Sequence, residues 1–354
     1  MISQGGTSMF YRNIRSYFLL TIVFIVVSFF SIVTINKVIS GGSSFDISSF
    51  LSFRVIFIII IFLLIYYLLD GLRVFFIAKS LHVEISFKLL FNLVFINIFV
   101  SNITPFASGG GVAQIYYLNK NGVSIGNATA ITTLRTVLAI AFFFITIPVV
   151  FFFEDKTDNI PHYLGLITYS LMLTFFYFFI LLIIIFKNKW LKMVIYKLLF
   201  ILRYKRLITR RRFKKVSYFL FKEVTIFVHS IIYFFKGNVY DMLLSVLFTA
   251  LYLITLFSFS IILFNSLGYN LSFTTIVSFN ILITFIMYFA PTPGASGIAE
   301  GAYSYMFSNL VDKSDIVSLT FAWRFITTYI GMLIGLAIFY IQAFKKENIF
   351  DDDK

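Results

Sequence analysis

The chain has 354 residues, 60% of them hydrophobic and only 12% charged, with a formal net charge of +14 and a mean hydropathy of +0.95. Soluble domains carry about 25% charged residues, so these values exclude a sizeable soluble domain and define an all-α, polytopic membrane protein. Cysteine is absent, which excludes disulfides and thiolate metal sites. His82, His162 and His229 stand too far apart for metal-ligand spacing, and neither a metal nor a cofactor is expected.

A membrane span needs about 20 apolar residues. On that measure the sequence predicts helices near residues 17–35, 51–69, 87–104, 126–153, 161–186, 240–264, 273–290 and 317–344. The first run is too long for a signal-peptide core, so it is expected to be an uncleaved helix, although Ser40-Gly41 could mimic a cleavage site. Sidedness follows from Lys and Arg. Arg12 and Arg15 put the N-terminus inside, and Lys345 and Lys346 put the C-terminus inside. The Ser/Gly-rich loop 36–50, the acidic loop 154–160 and the loop 308–316 are then external. Asp70, Arg73 and Glu84 fall at an inner boundary and are expected to be ordinary loop charges.

Between residues 187 and 222 there are thirteen Lys or Arg and no Asp or Glu, interleaved with aromatic residues such as Trp190, Tyr196 and Phe213. Such a run can bind nucleic acid. In a chain this apolar the expected partner is instead anionic inner-leaflet lipid, contacted by a cytoplasmic amphipathic segment, and no nucleic acid is expected.

Two stretches break the pattern of plain spans. Residues 104–109 read TPFASG and residues 292–297 read TPGASG. After two extra glycines, Val112-Ala113-Gln114 matches Ile298-Ala299-Glu300. Arg135 follows Pro105 by 30 residues, and Arg324 follows Pro293 by 31. This is an internal repeat. The charge rule requires residues 104–120 to return the chain to the side it came from, and the same holds for residues 291–307. Each stretch is therefore expected to be a re-entrant hairpin with a half-helix. The first is entered from the inside and the second from the outside, so repeats near 51–153 and 240–344 have inverted topology within a single domain, joined by a basic linker, 187–236. Inverted repeats with paired broken helices point to a transporter with a site near the midplane.

A half-helix that begins at mid-membrane presents unpaired N–H groups and a positive dipole end, a setting suited to phosphate. Candidate ligand contacts are Thr104, Pro105, Ser108, Gly109, Gly110 and Gln114 in the first motif, and Thr292, Pro293, Gly294, Ser296 and Gly297 in the second. Arg135 and Arg324 lie roughly 13 and 10 Å into their helices at 1.5 Å per residue, and arginine's planar fork suits phosphate. Glu300 is expected to carry a coupling proton, meet a cationic headgroup or neutralise Arg324. Structural pairing of the arginines with helix ends or with Glu300 is equally compatible with the sequence. No nucleophile elbow, HExxH motif or pair of mid-membrane carboxylates suggests a hydrolase.

The elements TPFASGGGVAQIYYL, NGVSIGNATA and YFAPTPGASGIAEGAY resemble the flippase-like transmembrane region of lysylphosphatidylglycerol synthase, the multiple peptide resistance factor family. The resemblance covers nearly the whole chain and sets Gln114 where the family pattern would lead one to expect a glutamate. It implies movement of a phospholipid, aminoacylated phosphatidylglycerol or another lipid-linked headgroup, between the leaflets of a bacterial plasma membrane. It also implies a bearing on resistance to cationic peptides, and it leaves a homo-oligomer open. Bifunctional members add a soluble synthase domain that uses lysyl-tRNA. The sequence ends at Lys354 soon after its last apolar run, so lysyltransferase activity is not expected of the chain by itself. An ion-coupled transporter of a small anionic solute and a lipid-group transferase are the alternatives.

Overall fold

The structure is a computed structural model describing residues 14–38, 48–153 and 160–344. The expected cleavage mimic at Ser40-Gly41, the acidic stretch 154–159, Arg12, Lys345 and Lys346 lie outside the described residues. Among those described, every regular element is a helix. In order they are α1 (Ile14–Val38), α2 (Phe53–Ser80), α3 (Phe87–Ile103), α4 (Ser108–Lys120), α5 (Ile125–Phe153), α6 (Ile160–Phe186), α7 (Asn188–Tyr204), α8 (Arg210–Lys236), α9 (Val239–Ser266), α10 (Phe273–Tyr288), α11 (Ile298–Phe307), α12 (Lys313–Arg324) and α13 (Ile330–Phe344). A π-helical turn, Phe325–Tyr329, joins the last two. Helix starts follow local chemistry: the side chains of Ser52, Ser86, Thr209, Asn238 and Ser272 each accept a backbone N–H of the first turn, filling donors that a helix cannot satisfy itself.

The expected spans are recovered with one consequential difference. Helix α2 runs to Ser80 rather than stopping at residue 69. Asp70 and Arg73 are therefore not loop charges. They lie inside a helix and are 1% and 2% exposed, while Glu84 lies exposed in the short link that follows.

The most extensive helix contact is α2 against α9, and it carries the symmetry of the molecule. Both helices have 28 residues. Phe53 to Val239 and Ser80 to Ser266 are both steps of 186 residues (239 − 53, 266 − 80). The two run antiparallel: Phe62 meets Phe259, Phe76 meets Phe248, and Lys79 meets Asp241. Tyr66 and Tyr252, also 186 apart (252 − 66), touch each other, with hydroxyls at 2.9 Å and rings stacked at 4.8 Å. Residues related by a two-fold meet only at its axis, so this tyrosine pair marks the axis. The rest of the packing obeys the same operation. Helix α3 lies on α13 and its counterpart α10 lies on α5. At Gly335 a Cβ would clash with the Phe95 carbonyl oxygen, so the α3–α13 approach admits no side chain there.

The two breaks share one backbone shape. Phe106 (φ 55°, ψ 21°) and Gly294 (φ 57°, ψ 22°) adopt the same left-handed conformation, and Ala107 and Ala295 follow at φ 50° and 55°. A non-glycine residue there costs about 1–2 kcal/mol. The strain is held because the breaks lock onto each other: the Phe106 N–H donates to the Ala290 carbonyl at 3.2 Å. Helix α1 closes over the second break, with Ser28 bonded to Ser296 at 2.9 Å.

The basic segment forms α7 and α8, which pair through Tyr196 and Phe213. By length and composition α8 is one of five helices among the described residues that are able to cross a membrane. Its contacts argue otherwise. Glu223 accepts the Gly126 N–H at 2.6 Å and Ser230 donates to Asn127 at 2.7 Å. Two residues of α8 seven steps apart, roughly 10 Å along the helix, thus meet two consecutive residues at the start of α5. Helix α8 crosses that end of the bundle instead of running alongside it.

Candidate functional site

At the meeting point of the two breaks lies a cavity of about 400 Å³. Its wall combines Phe106, Ala107, Gly111 and Gln114 of the first break with Ala290, Gly294 and Ala295 of the second, and with faces of α2, α3, α5, α9 and α10. The axial pair Tyr66 and Tyr252 is part of it.

The charges of this wall come from the first repeat. Asp70 sits between two arginines. Arg73, one turn along α2, donates from Nε at 2.6 Å, and Arg135 of α5 donates from Nη2 to both carboxylate oxygens at 2.8 and 2.7 Å. Arg73 also lies over the Tyr252 ring, 3.9 Å from its centre, a favourable cation–π placement. One carboxylate against two guanidiniums leaves one positive charge in excess. Among the described residues four buried donors that belong to wall residues have no hydrogen-bond partner: Arg73 Nη1, Arg135 Nε, Gln114 Nε2 and Trp323 Nε1. Buried donors without acceptors are costly.

The second repeat is built differently. Its step of 186 carries Asp70 to Leu256 and Arg73 to Phe259 (256 − 70, 259 − 73), so apolar side chains replace the charges; Leu256 lines the cavity beside Leu253 and Met287. Arg324 and Glu300 do not reach the wall. Both are fully buried and paired at 2.8 Å, Arg324 Nε to Glu300 Oε1. Every branch of that guanidinium is used, since Nη1 donates to Thr328 at 3.1 Å and Nη2 to the Gly294 carbonyl at 2.7 Å. Glu300 Oε2 accepts the Gly297 N–H at 2.7 Å, a carboxylate capping the α11 N-terminus. The π-helical turn after Arg324 brings Thr328 under it, a common use of such turns at functional sites.

The structure thus sorts the sequence candidates. Arg135, Gln114 and Gly294 line the cavity. Glu300 and Arg324 brace the second break from behind. The rest shape the breaks. Thr104 donates to the Val100 carbonyl at 2.8 Å and accepts the Gly109 N–H at 3.0 Å, and Ser108 donates to the Pro105 carbonyl at 2.9 Å. Gly110 packs so tightly on α3 that a Cβ would clash with Ser101. Pro293 opens the second turn beside Thr292, whose hydroxyl is buried without a partner. Ser296 is tied to Ser28, and Gly297, at φ 85°, has its N–H already taken by Glu300. Asp70, which lies behind the wall, and Arg73 and Trp323, which are in it, are residues to which sequence reasoning gave no part in the site. The 186-residue register between α2 and α9 is the signal that would have extended α2 and drawn in the first two.

These features define a polytopic helical membrane protein with two broken helices facing each other across a partly open, cation-bearing cavity. The profile of the lysylphosphatidylglycerol synthase TM region matches residues 15–335, and the chain belongs to that family. It is also similar to a UPF0104 membrane protein of Archaeoglobus fulgidus, with 24% identity over 274 residues, covering 76% of this chain and 81% of the relative.

Proposed function

We propose that the chain carries an anionic phospholipid between the two leaflets, with the lipid phosphate passing through the cavity between the breaks. The observation that carries this reading is the make-up of the wall. Among the described residues only the first repeat supplies charge to it, through Arg73 and Arg135, while both repeats supply apolar side chains, Ile98 and Ile140 from the first and Leu253, Leu256 and Met287 from the second. A phosphate and the glycerol and acyl segments beside it need those two kinds of surface, charged and apolar, side by side. A small soluble anion needs only the first. Arginine's fork matches phosphate oxygens.

The test is leaflet exchange of an acyl-labelled phosphatidylglycerol in proteoliposomes. The purified chain is expected to raise exchange well above that of protein-free vesicles. Uptake of glycerol phosphate without lipid exchange would replace the lipid with a soluble anion.

Sidedness belongs to the same proposal. The α7–α8 hairpin rests on the inner leaflet, with both termini inside. The sequence has no cysteine, so a single one at Lys205, in the exposed turn of the hairpin, is a clean reporter. It is expected to resist an impermeant thiol reagent on intact cells and react after permeabilisation. Labelling from outside would reverse the orientation.

A further inference from the structure

We infer that the site takes lipids with an anionic or uncharged, hydroxyl-bearing headgroup, of the phosphatidylglycerol type, and rejects a cationic aminoacylated headgroup; this rests on the lipid-carrying reading above. Two related arginines are held in different ways. In the second repeat Glu300 holds Arg324 and cancels its charge. The repeat places Gln114 where Glu300 stands (300 − 114 = 186), and Arg135 falls within one helical turn of the place of Arg324 (324 − 135 = 189). Gln114 is the neutral isostere of Glu300, and it cannot cancel anything. Among the described residues no hydrogen bond joins it to Arg135, and Gln114 Nε2 and Arg135 Nε both lack partners although Gln114 is only 2% exposed. Arg135 turns instead to Asp70, which Arg73 already holds.

The consequence is a wall of one sign. None of its described residues is Asp or Glu. Asp70, the nearest carboxylate, is 1% exposed and has both oxygens bonded to arginine. The remaining polar side chains are the Trp323 indole and amides and hydroxyls, among them Asn97, Ser101, Asn102, Thr136 and Thr284. A phosphodiester carries one negative charge and matches the single excess positive charge. Headgroup hydroxyls find amide and hydroxyl partners. An ammonium group in the same space meets two guanidiniums and no free carboxylate, and burying such an unpaired charge is expensive. Discrimination by repulsion is as effective as discrimination by fit.

The experiment compares two acyl-labelled lipids in proteoliposomes of neutral phosphatidylcholine: phosphatidylglycerol and lysylphosphatidylglycerol. Wild-type protein is expected to exchange phosphatidylglycerol at least about tenfold faster. Gln114→Glu places a carboxylate at the wall without changing its volume, and is expected to narrow that ratio about tenfold. Should Gln114→Glu fold poorly by its melting curve, Asn97→Asp makes the same change of charge from α3. Equal or faster exchange of lysylphosphatidylglycerol by wild type overturns the inference and leaves the lipid-carrying reading standing. An unchanged ratio in the folded acidic variant also overturns it, because selectivity then lies elsewhere. No exchange of either lipid overturns the lipid-carrying reading and this inference with it.

Discussion

Glu300→Gln is expected to lower stability by about 3–5 kcal/mol, the usual cost of leaving one partner of a buried ion pair alone. Three things fail together. Arg324, 0% exposed, keeps its charge with no counter-charge. The Gly297 N–H loses the carboxylate that caps α11. The Gly294 carbonyl, which fixes the second break, then hangs on an arginine that is itself unbalanced. Melting in detergent measures this directly. The double variant Glu300→Gln/Arg324→Met removes the stranded charge and is expected to recover much of the loss, since replacing both members of a buried pair is often close to neutral. A single variant as stable as wild type would mean that the pair does not hold the break. A double variant as unstable as the single would mean that the damage is to the cap alone.

Arg135→Gln is expected to reduce lipid exchange about 100-fold, within the range for losing a buried charge-assisted contact, while stability changes little. The difference from Glu300 is in the local charge balance. Asp70 keeps Arg73 at 2.6 Å when Arg135 is gone, so no charge is stranded, but the cavity loses its excess positive charge. Arg135→Lys retains the charge without the fork and is expected to lie in between, about tenfold down. Exchange rates and melting curves on the same preparations separate the two effects. Undiminished exchange by a folded Arg135→Gln protein would remove the phosphate from this cavity. A collapse of stability would make Arg135 a brace like Arg324.

The contrast between these two arginines shows where sequence stops. Arg135 and Arg324 look alike in the sequence, each about 30 residues past a proline of the same motif. Both read as candidates for a phosphate. Only the folded chain separates them: one lies 11% exposed in a cavity wall and the other is sealed behind it. The distinction depends on a carboxylate at Asp70, 65 residues before Arg135, and local spacing carries no trace of such a pairing. Asp70 and Arg73 were read as loop charges because a hydrophobicity count ends a span at the first charges it meets. The helix continues past them because Asp70 and Arg73 pair with each other one turn apart, so neither charge is buried alone, and Arg135 joins them from across the bundle.

What the sequence determined by itself was the membrane class, the helical fold, the places where two helices break and their relation as an inverted repeat. These rest on properties written residue by residue: apolar run length, proline and glycine at the breaks, the side bias of lysine and arginine, and a motif repeated in order. Tertiary structure decided the rest. The Tyr66–Tyr252 pair marking the axis, the closing of one arginine and the opening of the other, and the one-signed wall of the cavity all arise from residues far apart in the chain. Their physical cause is the cost of buried charge, and that cost is settled only when folding fixes which charges meet.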